Sequence, residues 1–322
     1  MPDSVTPHVY ASPITDDERL RENVLAFADR HDFDVAGPSL DPEDPDAARN
    51  WLGDCADRGV EVMINNGRVE HTPAALLDDG KLAGELATLR DVLSVYAEYY
   101  PEGRVFMWHE EPLFGEWGGE NLADRAERMV EYGPEIYAAM YEAATEVAPD
   151  LDVGIFVHQP FLPGPEHTDY PAFELLLDGL EEYGVVPDFA YCDLYRGWYE
   201  WEAGYQATNE SLAAGLSNAK ERLDGRPVYY LGQAHNSNNR YTPSKQAIQG
   251  NLRAALEAGV DGYGWYVRGA HRLTHERNYN PFLPNDGTDG EPDAHNGWVG
   301  ARDRMQWATL LVDEHVHGRD RD

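Results

Sequence analysis

Short apolar runs alternate with longer amphipathic stretches along the chain. The runs are His8–Ser12, Phe33–Ala36, Val60–Ile64, Arg104–Trp108, Val153–Val157, Phe189–Cys192, Val228–Leu231 and Gly262–Val267. They are apolar with little in–out alternation, the pattern of parallel strands covered on both faces. Helical periodicity lies between them. Thr15-Asp16-Asp17-Glu18 reads as a capping box opening a helix to about Arg30. Further helices are predicted over Pro45–Arg58, Leu82–Tyr100, Leu122–Ala148, Pro171–Tyr183, Asn209–Leu223, Pro243–Ala258 and about Gly300–Glu314. Pro134 should kink or break the longest of these, because it lacks an N–H and its ring meets the preceding turn.

Eight strand–helix units in 322 residues fit a (β/α)8 TIM barrel, one domain over residues 1–322. Such barrels take ~250 residues plus insertions. A doubly wound sheet would carry a Gly-rich phosphate loop after its first strand. Ser12-Pro13-Ile14-Thr15 stands there instead. Loop lengths favour the barrel too. Helix-to-strand connections are short, as at Asp57-Arg58-Gly59 and Gly259-Val260-Asp261. Strand-to-helix loops are long and aromatic, including those after the fourth, fifth, sixth and eighth strands. Elaborated loops on that face are what build a barrel's active site.

Charge changes the functional expectation. The chain has 59 Asp+Glu against 25 Lys+Arg, a formal net charge of -34. Phosphate backbones and anionic headgroups would be repelled, so neither nucleic acid nor a membrane surface is an expected partner. A hydrophobic fraction of 42%, with 8 Trp and 19 Tyr, argues for a packed core over acidic disorder. Lys81, Lys220 and Lys245 are the only lysines. An acidic, lysine-poor surface resembles proteins of salt-accumulating halophiles, where screening shortens charge repulsion. Most carboxylates are therefore expected to be solvated surface charges. Two cysteines, Cys55 and Cys192, define no disulfide framework or zinc motif. The first residues have no basic and apolar signal-peptide regions, and no run approaches a membrane span. A salt-rich cytoplasm is the expected location, and no cofactor is expected.

Candidate chemistry sits at the strand ends. The fourth strand runs into Trp108-His109-Glu110-Glu111-Pro112, the seventh into Leu231-Gly232-Gln233-Ala234-His235-Asn236, and the eighth contains Gly264-Trp265-Tyr266. The chain here resembles the clan A glycoside hydrolases, the (β/α)8 enzymes related to cellulases and β-galactosidases. The resemblance implies hydrolysis of a glycosidic bond in an oligo- or polysaccharide. Their fourth strand ends in Asn-Glu-Pro, and that Glu is the general acid/base. Aligned on the proline, Glu111 takes that role; aligned on Trp108, Glu110 does, with His109 in place of the Asn. The family's strand-7 nucleophile is a Glu, and Gln233 stands at that place here. An amide cannot be a carboxylate nucleophile. Asp193, with Glu200 and Glu202 behind it, is the candidate second carboxylate. Trp265 resembles the family's tryptophan under the sugar.

The loops suit a carbohydrate. Tyr195 and Trp198 belong to an aromatic cluster after the sixth strand, and such rings pack on pyranose faces. His158, Gln159, His235 and Asn236 are polar candidates for substrate binding, as are Asn65 and Asn66 after the third strand. Arg268 could meet an acidic sugar or one of the many carboxylates. Two alternatives remain open. One is a carbohydrate-binding barrel without catalysis, suggested by Gln233. The other is a metal-dependent lyase, isomerase or hydrolase, with His109, His158 and His235 as ligands beside Asp193.

Overall fold

All eight predicted strands form, and they close on themselves. The computed structural model describes residues 5–11, 18–65, 79–107, 122–158, 172–193, 208–233 and 244–268. The strands are β1 (Thr6–Ala11), β2 (Asp34–Ser39), β3 (Val62–Asn65), β4 (Arg104–Met107), β5 (Asp152–His158), β6 (Ala190–Asp193), β7 (Val228–Gln233) and β8 (Gly262–Arg268). Each pairs in parallel with the next, and β8 pairs with β1 to complete the barrel. Among the described residues the helices are α1 (Glu18–His31), α2 (Pro45–Asp57), α3 (Asp79–Ala97), α4 (Leu122–Val147), α5 (Ala172–Glu182), α6 (Asn209–Arg222) and α7 (Lys245–Glu257). The capping box at Thr15 and the helix expected at 300–314 lie outside the described residues.

Side chains alternate between two cores. One is the barrel lumen: Ala36, Met63, Phe106, Phe156, Phe189, Tyr191, Tyr229 and Leu231. The other lies between the barrel wall and the helices and takes the alternate strand positions, such as Val35, Val62, Val105, Val153, Cys192 and Tyr230. Both faces of each strand are thus apolar, which is why the sequence shows so little period-two contrast.

The lumen is filled by aromatic rings set against glycines. Phe106 and Tyr191 stack with centroids 4.9 Å apart and planes within 4°. Phe156 lies 5.6 Å from Phe106 and 5.7 Å from Tyr191. A methyl group at Gly154 would overlap the Phe189 ring, and one at Gly262 would overlap Tyr229. Alternating large and small residues is how a tapering barrel interior is filled without voids.

Outside, arginines tie neighbouring helices. Arg58 at the end of α2 reaches Glu22 of α1 at 3.2 Å, Arg49 of α2 reaches Glu98 after α3 at 2.9 Å, and Arg90 of α3 reaches Glu146 of α4 at 2.7 Å. Arg222 of α6 meets Asp178 of α5 at 2.5 Å. Each exposed tie contributes little alone.

Of the kink or break expected at Pro134, the break does not occur: helix α4 continues through it. The proline ring is seated between α4 and α5, where Gly179 leaves room for it; a methyl at Gly179 would stand 2.6 Å from Pro134 Cγ. Packing against Gly179 helps offset the cost of an interior proline, about 3 kcal/mol for the lost hydrogen bond and the ring clash together.

Candidate active site

The C-terminal ends of parallel barrel strands face one mouth. Three described side chains there are both polar and buried. Asn65 closes β3 at 1% exposure, Ser39 closes β2 at 6%, and Asp193 closes β6 at 5%. Asn65 is one inward step beyond Met63, and Asp193 one inward step beyond Tyr191, both lumen residues. The Phe106, Phe156 and Tyr191 rings therefore form the apolar layer from which the mouth rises. Asn65 Nδ2 donates to the Gly37 carbonyl of β2.

Below this layer the lumen also holds polar groups. The Tyr191 hydroxyl is 2.7 Å from His8 Nε2, a contact between β6 and β1 that fills the centre of the barrel. Burial, reinforced by the Arg104 cation, drops the His8 imidazole to about 3, against the opposite pull of the Thr6 backbone. The imidazole is thus neutral, and its unprotonated nitrogen can accept a hydrogen bond from the Tyr191 hydroxyl. Burial, and then the Asp193 charge, push the Tyr191 phenol well above its ordinary value.

At the opposite end of the lumen, Arg104 Nη2 donates to Asp34 at 2.9 Å and its Nη1 donates to the Tyr229 hydroxyl at 2.8 Å. Burial pushes the Asp34 carboxyl up to about 6, with Arg104 drawing it back. Burial opposes the Arg104 charge as well, but Tyr229 and Asp34 outweigh it and its pKa is raised. This cluster plugs the floor of the barrel, far from the mouth in strand order.

The predicted residues fall into three groups. His109, Glu110, Glu111, Gln159, Tyr195, Trp198, His235 and Asn236 lie outside the described residues. His158, Gln233 and Arg268 are the last residues of β5, β7 and β8, placed by their backbone. His158 is the register partner of Asp193, and Gln233 that of Tyr266. Each of these three strands reaches one or two residues further than its apolar run and ends on the polar residue.

Trp265 does not meet its expectation. It belongs to the outer core, 4.8 Å from the Tyr263 ring centroid. Its ring lies on Gly232, where an added methyl would come within 2.6 Å of Trp265 Cζ3. The reason is parity: Gly264, its neighbour, faces His8 in the lumen, so Trp265 faces the helices.

Among the described residues, no group of three or more His, Cys, Asp or Glu could hold a metal. Ser39, His8 and Tyr191 were not singled out from sequence. Counting by twos from a known lumen residue would have found Tyr191, but nothing in the sequence marks which parity is inward.

No protein-family model matches the sequence, and no curated protein matches it. Solved structures do match the fold. A beta-glucosidase from Thermotoga maritima aligns over 97% of this chain and 98% of its own, with a TM-score of 0.60 and 12% identity. An endo-1,4-beta-D-mannanase from Thermotoga petrophila aligns over 97% of this chain and 100% of its own, with a TM-score of 0.59 and 12% identity. A polyextremophilic beta-galactosidase from the Antarctic haloarchaeon Halorubrum lacusprofundi gives a TM-score of 0.64 and 13% identity, covering 98% of this chain but 58% of that one. The barrel is similar in fold to glycoside hydrolases of clan A.

Proposed function

We propose that this protein cleaves a glycosidic bond in an oligo- or polysaccharide, in concentrated salt within the cytoplasm. The observation that carries the reading is Asp193, a buried carboxylate at the C-terminal end of a strand, on the inward face of a barrel shaped like known glycosidases. Glycoside hydrolysis needs one carboxyl to protonate the leaving oxygen and a second to stabilise the oxocarbenium-like charge or to activate water. Glu111, or Glu110 in the other alignment, is the donor, and Asp193 is the second carboxylate. His109, His158, Gln159, Gln233, His235 and Asn236 orient the sugar, Tyr195 and Trp198 supply ring faces, and Arg268 borders the site. The salt and location come from the acidic, lysine-poor composition.

The test is turnover of a panel of nitrophenyl glycosides and oligosaccharides in molar salt by Glu111→Gln, Glu110→Gln and Asp193→Asn. Loss of turnover in Asp193→Asn and in one of the two Glu variants supports the assignment; wild-type rates in all three reject it. Gln233 at the end of β7 favours one second reading, sugar binding without cleavage. Calorimetric binding without any product would establish that reading instead.

A further inference from the structure

We infer that Trp265 is a positioning residue that works from outside the barrel: its ring, seated on Gly232, fixes where β7 ends and so where Gln233 stands at the mouth. The inference rests on the carbohydrate reading above and deepens it.

The end of β7 depends on β8. The register of β7 with β6 runs to Leu231, opposite Asp193. With β8 it runs further, Gly232 opposite Trp265 and Gln233 opposite Tyr266. Among the described residues, Gly232 and Gln233 thus have register partners on β8 alone. On its other side β8 becomes irregular at the same level. Val9 of β1 is opposite Trp265 and Ala11 is opposite Arg268, so β8 carries one residue more than β1 in that interval. A bulge of this kind interrupts the ladder and bends the strand. Trp265 is the last β8 residue before it, and backbone pairing alone holds this corner of the barrel loosely.

A run of packed side chains supplies the missing support. The Tyr263 hydroxyl donates to Asn251 Oδ1 of α7 at 2.8 Å. The Tyr263 ring meets the Trp265 ring edge-on, with centroids 4.8 Å apart and planes at 71°. Both close on Gly232, where an added methyl would lie 2.5 Å from the Tyr263 hydroxyl and 2.6 Å from Trp265 Cζ3. Glycine in a strand marks such a close approach. The path therefore leads from a helix, through two buried rings, to the backbone one residue before Gln233.

The indole is kept there for its shape. Trp265 Nε1 is buried with no hydrogen-bond partner among the described residues. An unpaired buried donor is a cost, so no polar contact accounts for tryptophan at this position. A rigid plate long enough to reach Gly232 does. Misplacing a site group by about 1 Å can lower a rate about a hundredfold.

The test is a double-mutant cycle between Trp265→Phe and Gln233→Ala. It is read as kcat and KM on the best substrate of the glycoside panel, or as Kd for that glycoside where turnover is absent. Trp265→Phe should lower kcat/KM, or weaken binding, about tenfold or more when Gln233 is present, and less than about twofold when Gln233 is already Ala. Gly232→Ala presses on the same contact from the strand side and should show the same dependence on Gln233, which covers the case that Trp265→Phe does not fold. Gly154→Ala, an overlap within the lumen, should leave kcat and KM near those of wild type. Equal factors with and without Gln233, no loss in either variant, or a Gly154→Ala loss as large as that of Gly232→Ala would overturn the inference and leave the carbohydrate reading standing. A wild type that neither cleaves nor binds any glycoside overturns both.

Discussion

Acid should destabilise this barrel through one imidazole. His8 is 2% exposed and bonded to Tyr191 in the lumen. Its pKa falls from 6.5 to about 3 because burial, and then the Arg104 charge, penalise the cation. The unfolded chain binds a proton near pH 6.5 that the folded chain refuses until about pH 3. The His8 contribution is therefore complete above pH 6.5 and is lost as pH falls toward 3. Between pH 7.5 and 5 the loss is about 2 kcal/mol, from about 1.4 kcal/mol for each pH unit below 6.5. Other groups titrate too, so the assay is a difference. Denaturant unfolding of wild type and His8→Gln, run in parallel from pH 8 to 5, should show the gap closing by about 2 kcal/mol on acidification. A constant offset reflecting the lost Tyr191 contact is expected on top. Parallel curves would refute the argument that His8 is held neutral by the fold. So would an imidazole resonance, assigned to His8, that titrates near pH 6.5.

Three other perturbations probe the packing. Gly154→Ala should lower stability by about 1–3 kcal/mol, because the new methyl overlaps the Phe189 ring, and Phe189→Leu in the same chain should recover part of it; chemical denaturation reads both. Gly179→Ala sets a helix-propensity gain of about 1 kcal/mol against a 2.6 Å approach to Pro134 Cγ, and the clash should win, giving a lower Tm that Pro134→Ala restores. Arg104→Met strips partners from Asp34 and Tyr229 and should cost about 2–4 kcal/mol, with Asp34→Leu added to it costing less than the sum of the two single changes in denaturant unfolding.

The strand count and barrel closure were readable because buried parallel strands announce themselves as apolar runs. On β3, β5, β6, β7 and β8 the runs stopped short of the strand ends for a specific reason. Asn65, His158, Asp193, Gln233 and Arg268 are polar, and hydropathy assigns polar residues to loops, yet the backbone ladder continues through them. Facing was harder still. With both strand faces apolar, no contrast told Trp265 from Tyr266, and the tryptophan was expected in the mouth while it packs against the helices. That the helix continues past Pro134 was not legible either, since the proline packs against Gly179, 45 residues away in sequence and invisible to any local window. Asp193 emerged from sequence only through its place on the sixth strand; its burial and its facing required the fold.

The interlocked rings and glycines of the lumen constrain how such a sequence can drift. Gly154 with Phe189, Gly262 with Tyr229, and Gly264 with His8 each share one space, so neither member can enlarge while its partner stays. Among divergent relatives these positions should exchange bulk in pairs: a bigger residue at one accompanied by a smaller one across the strand gap. Such paired changes would let the barrel keep its filling while its sequence departs far from that of other barrels of the same shape.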